Sequence, residues 1–328
     1  MTRHATLDGS TSLLAADMQA VDRLICDHMQ SPITTIPQLA GHLVASGGKR
    51  IRPLICLSVA RMLGYAGQHH LTLAACVEFI HTATLLHDDV VDESLLRRGS
   101  PSANSVWGNQ ASVLVGDFLF SRAFELMVEM ESLPVLGVLS AASSRIAEGE
   151  VLQLMSRQDI AAAQLNYFDM IEAKTAKLFE ASAQGAALLS GASPEEEAAL
   201  KDYGRLLGLS FQVVDDVLDY ECQDQASGKT LGIDFSEGQV TLPVIFAFEN
   251  ADPQEKAFWL RTLQEGKQEP EDFAHAQELL LKSGGLQLAK DQAKAFATQA
   301  QEKLSAFAGS PFKQTLLDLA TLSADRGA

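Results

Sequence analysis

Six aspartates in two short runs carry the most chemistry in this chain. The first run lies in EFIHTATLLHDDVVDESLLRRG, residues 78–99, and the second in FQVVDDVLDY, residues 211–220. Side chains turn by about 100° per residue in an α-helix, so positions four apart share a face and positions seven apart nearly coincide. His81, Asp88 and Asp92 therefore form one polar stripe on a segment that is otherwise apolar, with Phe79, Ile80, Leu85, Leu86, Val90 and Val91. Asp89 projects about a quarter-turn away. An unpaired carboxylate on a buried helix costs on the order of several kcal/mol, so the stripe requires a cation or a water-filled cavity. No lysine stands beside these carboxylates. Their spacing suits magnesium, which takes one or two protein carboxylates, keeps waters and completes its shell with phosphate oxygens. One DDxxD pattern alone is equally an exposed acidic turn. The repetition at Asp215, Asp216 and Asp219, with Gln212 one turn earlier, argues against that reading. Two such helices can face each other across a cavity and hold a group of metal ions.

Phosphate on such a metal also needs cations from the protein, and the chain has only 25 lysines and arginines. Three of them fall in GGKRIRP, residues 47–53, where Gly48, Lys49 and Arg52 sit at a loop-to-helix junction. Backbone amides at a helix N-terminus bind anions, and glycine lets a phosphate approach closely. Arg97 and Arg98 close the first aspartate run before Gly99. Lys174 and Thr175 interrupt the apolar AKTAKLFEASAQGAA, a pair that taken alone is as well explained by a surface. Lys229 is the cation of the Gly-rich stretch GKTLGIDFSEGQVTLP, residues 228–243, which is placed to close over a diphosphate.

The elements that must position these residues are helical. The 328 residues are 47% hydrophobic and only 6% aromatic, rich in Ala and Leu, with short β-branched runs. Periodicity predicts helices over 13–29, 36–45 and 54–63, with Pro53 in the first turn of the last and a Gly47–Gly48 stop before it. Residues 101–108 read as a loop between Pro101 and Gly108, and 111–130 as a strongly apolar helix whose Asp117 needs a partner. Pro134 opens a helix containing EGEVLQL, where Glu148 and Gln153 suit either a polar cavity or a surface. A helix over 167–189 follows, then a Ser193 cap with Glu195 and Glu196 in the first turn of the helix that runs into DDVLD. Pro243 begins another apolar helix, and helical patterning returns at 285–307 and 311–323. No β-rich segment or linker separates the chain, so residues 1–12 form a loose tail and 13–328 one all-helical domain.

The formal charge of −17 leaves no basic stripe for nucleic acid. Cys26, Cys56, Cys76 and Cys222 lack CxxC spacing, which argues against a zinc site, and Cys56 and Cys76 lie in apolar helical runs that fit buried, reduced thiols. The N-terminus MTRHATLDGSTS has no apolar signal segment, and no run of about 18 apolar residues spans a membrane. A cytoplasmic location is expected.

Taken in order, GGKRIRP, HTATLLHDDVVDESLLRRG, KTAKLF, FQVVDDVLDY and GKTLGIDFSEG resemble the trans-isoprenyl diphosphate synthases, over roughly residues 15–325. DMQAV, VLVGDF and AEGEVLQLM are most similar to the bacterial long-chain branch of that family. The resemblance implies a single-domain all-α bundle around a deep central cavity, a homodimer, and Mg2+-dependent head-to-tail (1′-4) condensation of isopentenyl diphosphate onto an allylic diphosphate. It implies magnesium on Asp88, Asp92 and Asp215, supported by Asp219. Isopentenyl diphosphate would lie on Gly48, Lys49, Arg52, His81 and Arg98, and the allylic diphosphate on Arg97, Lys174 and Lys229. Thr175 and Gln212 would offer neutral oxygens to the developing carbocation, and the departing diphosphate itself would take the proton.

Two features bear on this particular chain. The family's loop commonly has Lys after its Glu-Gly pair, whereas Gln239 stands here, which removes one charge from the allylic site. Ala83 and Thr84, five and four residues before Asp88, are small where short-chain members often carry an aromatic. The open path implies a long product of about forty carbons for a quinone side chain, grown from farnesyl diphosphate, with Phe118, Phe120 or Met127 as its floor. The alternatives are a class I terpene cyclase, which usually replaces the second aspartate motif by an Asn/Asp-Ser/Thr-Glu site, and a non-catalytic subunit, which typically loses aspartates retained here.

Overall fold

The computed structural model describes residues 13–45, 48–97, 100–221 and 231–325. The expected tail over 1–12, with Gly47, Arg98, Cys222 and Lys229, lies outside the described residues. In chain order the elements are α1 (Ala15–His28), α2 (Thr35–Ala45), α3 (Ile51–Met62), α4 (His69–Val91), β1 (Leu96–Arg97), β2 (Ser100–Pro101), α5 (Ala103–Trp107), α6 (Asn109–Glu129) and α7 (Leu133–Ser156). There follow α8 (Ile160–Ile171), a π-helical turn over Glu172–Ala176, α9 (Lys177–Leu189), α10 (Pro194–Tyr220), α11 (Ile233–Ser236), α12 (Leu242–Glu249) and α13 (Pro253–Trp259). A second π-turn spans Leu260–Gln264 before α14 (Asp272–Ser283), α15 (Gly285–Lys303) and α16 (Pro311–Ala324). The chain is all-α: among the described residues the only sheet is the two-residue antiparallel ladder of β1 with β2.

Residues group into two compact units. The first takes Met1–Ser143, Leu178–Gly204 and Leu304–Asp318. Its centre is α4, which carries no glycine or proline and is buried all round from Leu73 to Ile80, as expected of a helix segment enclosed by others. It packs on α1, α3 and most extensively on α6. Cys56 and Cys76 are buried here as free thiols, and burial drives both thiols up, Cys56 to about 12. The second unit takes Ser144–Lys177, Arg205–Lys303 and Leu319–Ala328. Its core joins Tyr167, Val213, Val217, Val244, Trp259 and Leu280, drawn from five helices.

Local chemistry explains the boundaries. Ser193 and Glu196 exchange hydrogen bonds at the start of α10, Ser193 Oγ accepting from Glu196 N at 3.2 Å and Glu196 accepting from Ser193 N at 2.9 Å. Asp252 and Glu255 repeat that box at α13. Three expectations need correction. The stretch 101–108 is not a plain loop, because α5 forms between Pro101 and Gly108. The helix expected over 167–189 is interrupted by the π-turn at Glu172–Ala176. The third starts before its proline: Arg50 caps α3, so Pro53 lies inside the first turn and Ile51 begins it. Beyond Asn250, where helical packing around the core was expected, α13 and α14 precede the helices patterned over 285–307 and 311–323.

Candidate active site

In the first unit, α4 sets His81 and Asp88 on its half-buried side and ends at Asp92, whose amide donates to the Asp88 carbonyl at 2.8 Å. Asp89 is turned the other way and fully buried, as the helical period requires. Its carboxylate receives Arg97, with Nε donating at 2.8 and 3.0 Å and Nη2 at 2.6 Å. Asn104 Nδ2 of α5 donates to the Asp89 carbonyl at 2.9 Å. Arg97, expected on substrate, is thus oriented by a buried aspartate that sequence reasoning set aside.

The GGKRIRP segment divides its cations by direction. Arg50 adopts the left-handed conformation (φ 48°) at the start of α3 and turns inward onto the buried Glu78 of α4, with Asp22 3.7 Å away. Gly48 and Lys49 stay exposed. Arg52 lies with its guanidinium 4.4 Å from the centre of the Phe179 ring, a stack that fixes the plane of its donors.

The candidates for chain length are spread over α4 and α6. Ala83 and Met127 are enclosed in the core, while Thr84 is half-buried and its hydroxyl donates to the His81 carbonyl at 2.8 Å. Phe118 lies under the Arg122 guanidinium at 4.9 Å, and Phe120 tilts against Phe124 at 6.0 Å. Asp117 is not a buried charge in need of a partner. Its side chain is 63% exposed, with His87 Nε2 3.4 Å away.

In the second unit the π-turn sends two consecutive side chains to different partners. Lys174 Nζ donates to Glu150 Oε2 and Gln153 Oε1, each at 2.8 Å. Thr175 Oγ1 donates to Gln212 Oε1 of α10 at 2.7 Å. Gln212 Nε2 then donates to Asp216 Oδ1 at 2.7 Å, and the buried Tyr167 hydroxyl to Asp216 Oδ2 at 2.5 Å. Gly149 makes the turn's position possible: a Cβ there would stand 2.8 Å from the Lys174 amide nitrogen. Glu148, one of the two polar candidates on α7, faces solvent and pairs with Arg145, so the acidic partner of Lys174 is Glu150 instead. Gln153 continues the network, donating to Gln239 Oε1 at 2.7 Å, and Gln239 donates to Glu237 at 2.8 Å.

Asp215 is half-buried, Asp216 and Asp219 are buried. The Asp219 carboxylate receives the amides of Ile233 at 3.3 Å and Asp234 at 2.9 Å, and so caps the single turn of α11. Burial, followed by the charges of neighbouring aspartates, raises the Asp216 carboxyl to about 7 despite the hydrogen bonds from Tyr167 and Gln212. The same causes raise Asp234 well above the carboxylate range. The concentration of acids is unfavourable without a cation. Tyr167, Glu150 and Asp234 carried no separate signal in the sequence, although Glu150 and Asp234 sit inside segments already singled out.

The polyprenyl synthetase family model matches residues 33–280. The chain belongs to the polyprenyl synthetase family. It is 45% identical to the octaprenyl diphosphate synthase of Escherichia coli (strain K12) over 324 residues, covering 98% of this chain and 99% of that protein. Among solved structures it resembles the polyprenyl synthase of Caulobacter crescentus CB15 complexed with calcium and isoprenyl diphosphate, with a TM-score of 0.94, 48% identity and 98% of each chain covered. A decaprenyl diphosphate synthase from Rhodobacter capsulatus superposes with a TM-score of 0.93 at 45% identity, over 98% of this chain and 99% of that one. The all-α isoprenoid synthase fold and the prenyltransferase class expected from the motifs are those of this family. No helix among the described residues is long and apolar enough to cross a membrane.

Proposed function

We propose that the protein is a long-chain trans-polyprenyl diphosphate synthase that adds isopentenyl diphosphate successively to farnesyl diphosphate and releases a forty-carbon product. The observation that carries this reading is the distribution of acids and cations. In each motif the second aspartate is turned inward to hold a neighbour, Arg97 for Asp89 and Gln212 for Asp216, while Asp88, Asp92 and Asp215 remain half-buried. Among the described residues no three His, Cys, Asp or Glu side chains gather into a metal cage of their own. One or two carboxylates per motif suit Mg2+, which draws the rest of its shell from water and substrate phosphate. When bound, the metal would neutralise the leaving diphosphate.

The chain's own residues do the remainder. Arg97 and Lys174 hold the allylic diphosphate, and Lys229 adds to them. Gly48, Lys49, Arg52, His81 and Arg98 hold isopentenyl diphosphate. Thr175 and Gln212 present neutral oxygens to the positive charge that develops on ionisation, where a fixed dipole stabilises without forming a bond. The leaving diphosphate accepts the proton. Asp219, committed to the α11 amides, supports rather than leads the acidic cluster. Small side chains at Ala83 and Thr84 leave the tail its path, and Phe118, Phe120 or Met127 floors it. The forty-carbon length follows the octaprenyl diphosphate synthases that the chain resembles, and a quinone side-chain destination and a cytoplasmic location belong to the same proposal.

A homodimer completes the reading. The outer face of α6 exposes Val113, Leu114, Phe124 and Val128, an apolar stripe at helical spacing that a second copy would cover. Replacing Leu114 and Val128 by Asp should yield a monomer in sedimentation, and an unchanged dimer would move the interface elsewhere.

The reading is tested by Asp88→Asn and Asp215→Asn. Each should keep the wild-type melting temperature within a few degrees and lower kcat on the order of 100-fold. Wild-type rates in either variant would remove that carboxylate from the reaction.

A further inference from the structure

The amide of Gln212 has two ends of nearly equal shape, and only its neighbours decide which end faces the reacting carbons. In this protein the decision is made by Asp216. Both of its oxygens are placed as acceptors: Oδ2 receives the Tyr167 hydroxyl, and Oδ1 faces Gln212 and takes the N–H end at 2.7 Å. The oxygen end is thereby aimed at Thr175, whose hydroxyl spends its single proton on it at 2.7 Å. Thr175 is left with lone pairs and no hydrogen to offer elsewhere. Reversing the amide would oppose its NH2 to the Thr175 hydroxyl and its oxygen to the Asp216 carboxylate.

Asp216 is itself held from the far side. Tyr167 of α8, fully buried, donates its hydroxyl to the other carboxylate oxygen at 2.5 Å. The four groups form one directed chain, Tyr167 and Gln212 both donating into Asp216, and Thr175 donating into Gln212. Without the tyrosine hydroxyl, Asp216 is fixed at one oxygen only and can pivot, and the Gln212 amide pivots with it.

We propose that Tyr167 is a positioning residue for prenyl transfer, which acts through Asp216 to hold Gln212 and Thr175 with acceptor oxygens toward the allylic carbocation. The proposal rests on the synthase reading above. Tyr167 is buried in the core of the second unit with its hydroxyl on Asp216, so its effect on transfer passes through Gln212, and this separates it from a structural role.

The test is a double-mutant cycle on the full chain with farnesyl diphosphate, labelled isopentenyl diphosphate and Mg2+. Tyr167→Phe removes one oxygen and keeps the ring. It should lower kcat roughly tenfold, as expected for misplacement well under 1 Å, while KM for farnesyl diphosphate stays within about twofold. In a Gln212→Met background the same Tyr167→Phe change should leave kcat unaltered, because the group it positions is gone. The melting temperature should fall by the same amount in both backgrounds. An equal loss of kcat in both backgrounds, or no loss in the first, overturns the positioning role. Label transfer by the unmodified protein keeps the synthase reading whatever the variants do; its absence overturns both.

Discussion

Gly149→Ala probes the closest backbone approach in the site. The added Cβ would meet the Lys174 amide nitrogen at 2.8 Å, the Ala173 Cβ at 2.9 Å and the Ala173 carbonyl carbon at 3.2 Å. Ordinary contact begins near 3.5 Å, so α7 and the π-turn must part by about 0.7 Å. The obstacle is largely backbone, which cannot rotate aside. Overpacking of this kind costs about 1–3 kcal/mol. For a chain of this length that is a fall of about 2–6 °C in Tm. The same shift draws Lys174 from Glu150 and Gln153, both held at 2.8 Å. A displacement near 1 Å can cost about 100-fold in rate, so a loss of tenfold or more is expected. The assay is transfer of labelled isopentenyl diphosphate into solvent-extractable product, beside thermal unfolding. Gly137→Ala on the same helix is the control, since its Cβ meets nothing within 4 Å and should leave both readouts intact or slightly raise stability. A Gly149→Ala protein as active and as stable as Gly137→Ala would refute the close-packing account.

Four further outcomes are expected. Ala83→Phe should shorten the product to the range of about fifteen to twenty carbons, measured by chromatography of the extracted prenols, because it fills space along the tail's path; unaltered length would remove Ala83 from that path. Gln239→Lys should lower KM for the allylic substrate by restoring a cation beside Gln153 and Glu237, and an unchanged or higher constant would count against it. Arg97→Ala strands the fully buried Asp89 and should cost about 3 kcal/mol of stability, with most of that recovered, but not the activity, on adding Asp89→Asn. The pair is not needed in its ionic form if the double variant is no more stable than the single.

The last concerns pH. His70 is fully buried; burial first, then the Arg61 charge, holds its imidazole below the ordinary 6.5. Asp17, hydrogen-bonded by Arg61 at 2.8 and 2.7 Å, is likewise held below its ordinary 3.8. Both depressed groups bind protons more readily unfolded, so the stability they contribute is full above about pH 6.5 and declines first through His70 and then through Asp17 as pH falls. Asp216 and Asp234, raised by burial, act in the opposite sense over the same window, so the expected outcome is differential: from pH 7 to pH 5 the wild-type Tm should fall relative to that of His70→Phe. An identical slope in the variant would assign it to other groups.

Much of this was legible because the chemistry is periodic. The 3.6-residue repeat alone separated Asp88 and Asp92 from Asp89, and the structure turns Asp89 inward as that phase requires. What Asp89 does there was not legible, since Arg97 returns to it through the β1–β2 ladder, a tertiary contact without local signature. The π-turn at Lys174 and Thr175 inserts no unusual residue, so an unbroken helix over 167–189 was the natural expectation. EGEVLQL left Glu148 and Gln153 open between a cavity and a surface, and the structure divides them, Glu148 pairing with Arg145 in solvent and Gln153 accepting from Lys174. Gly149 seats α7 against Lys174. Helix α5 was hidden between Pro101 and Gly108, where five residues are too few to show a period.

The most direct test is one incubation of the purified protein with farnesyl diphosphate, labelled isopentenyl diphosphate and Mg2+, beside a chelated control. The account predicts a ladder of labelled prenyl chains ending at a single long product of forty carbons, abolished by the chelator. Farnesyl diphosphate turned to hydrocarbon with no label in the organic phase would instead identify a cyclase, and would contradict it.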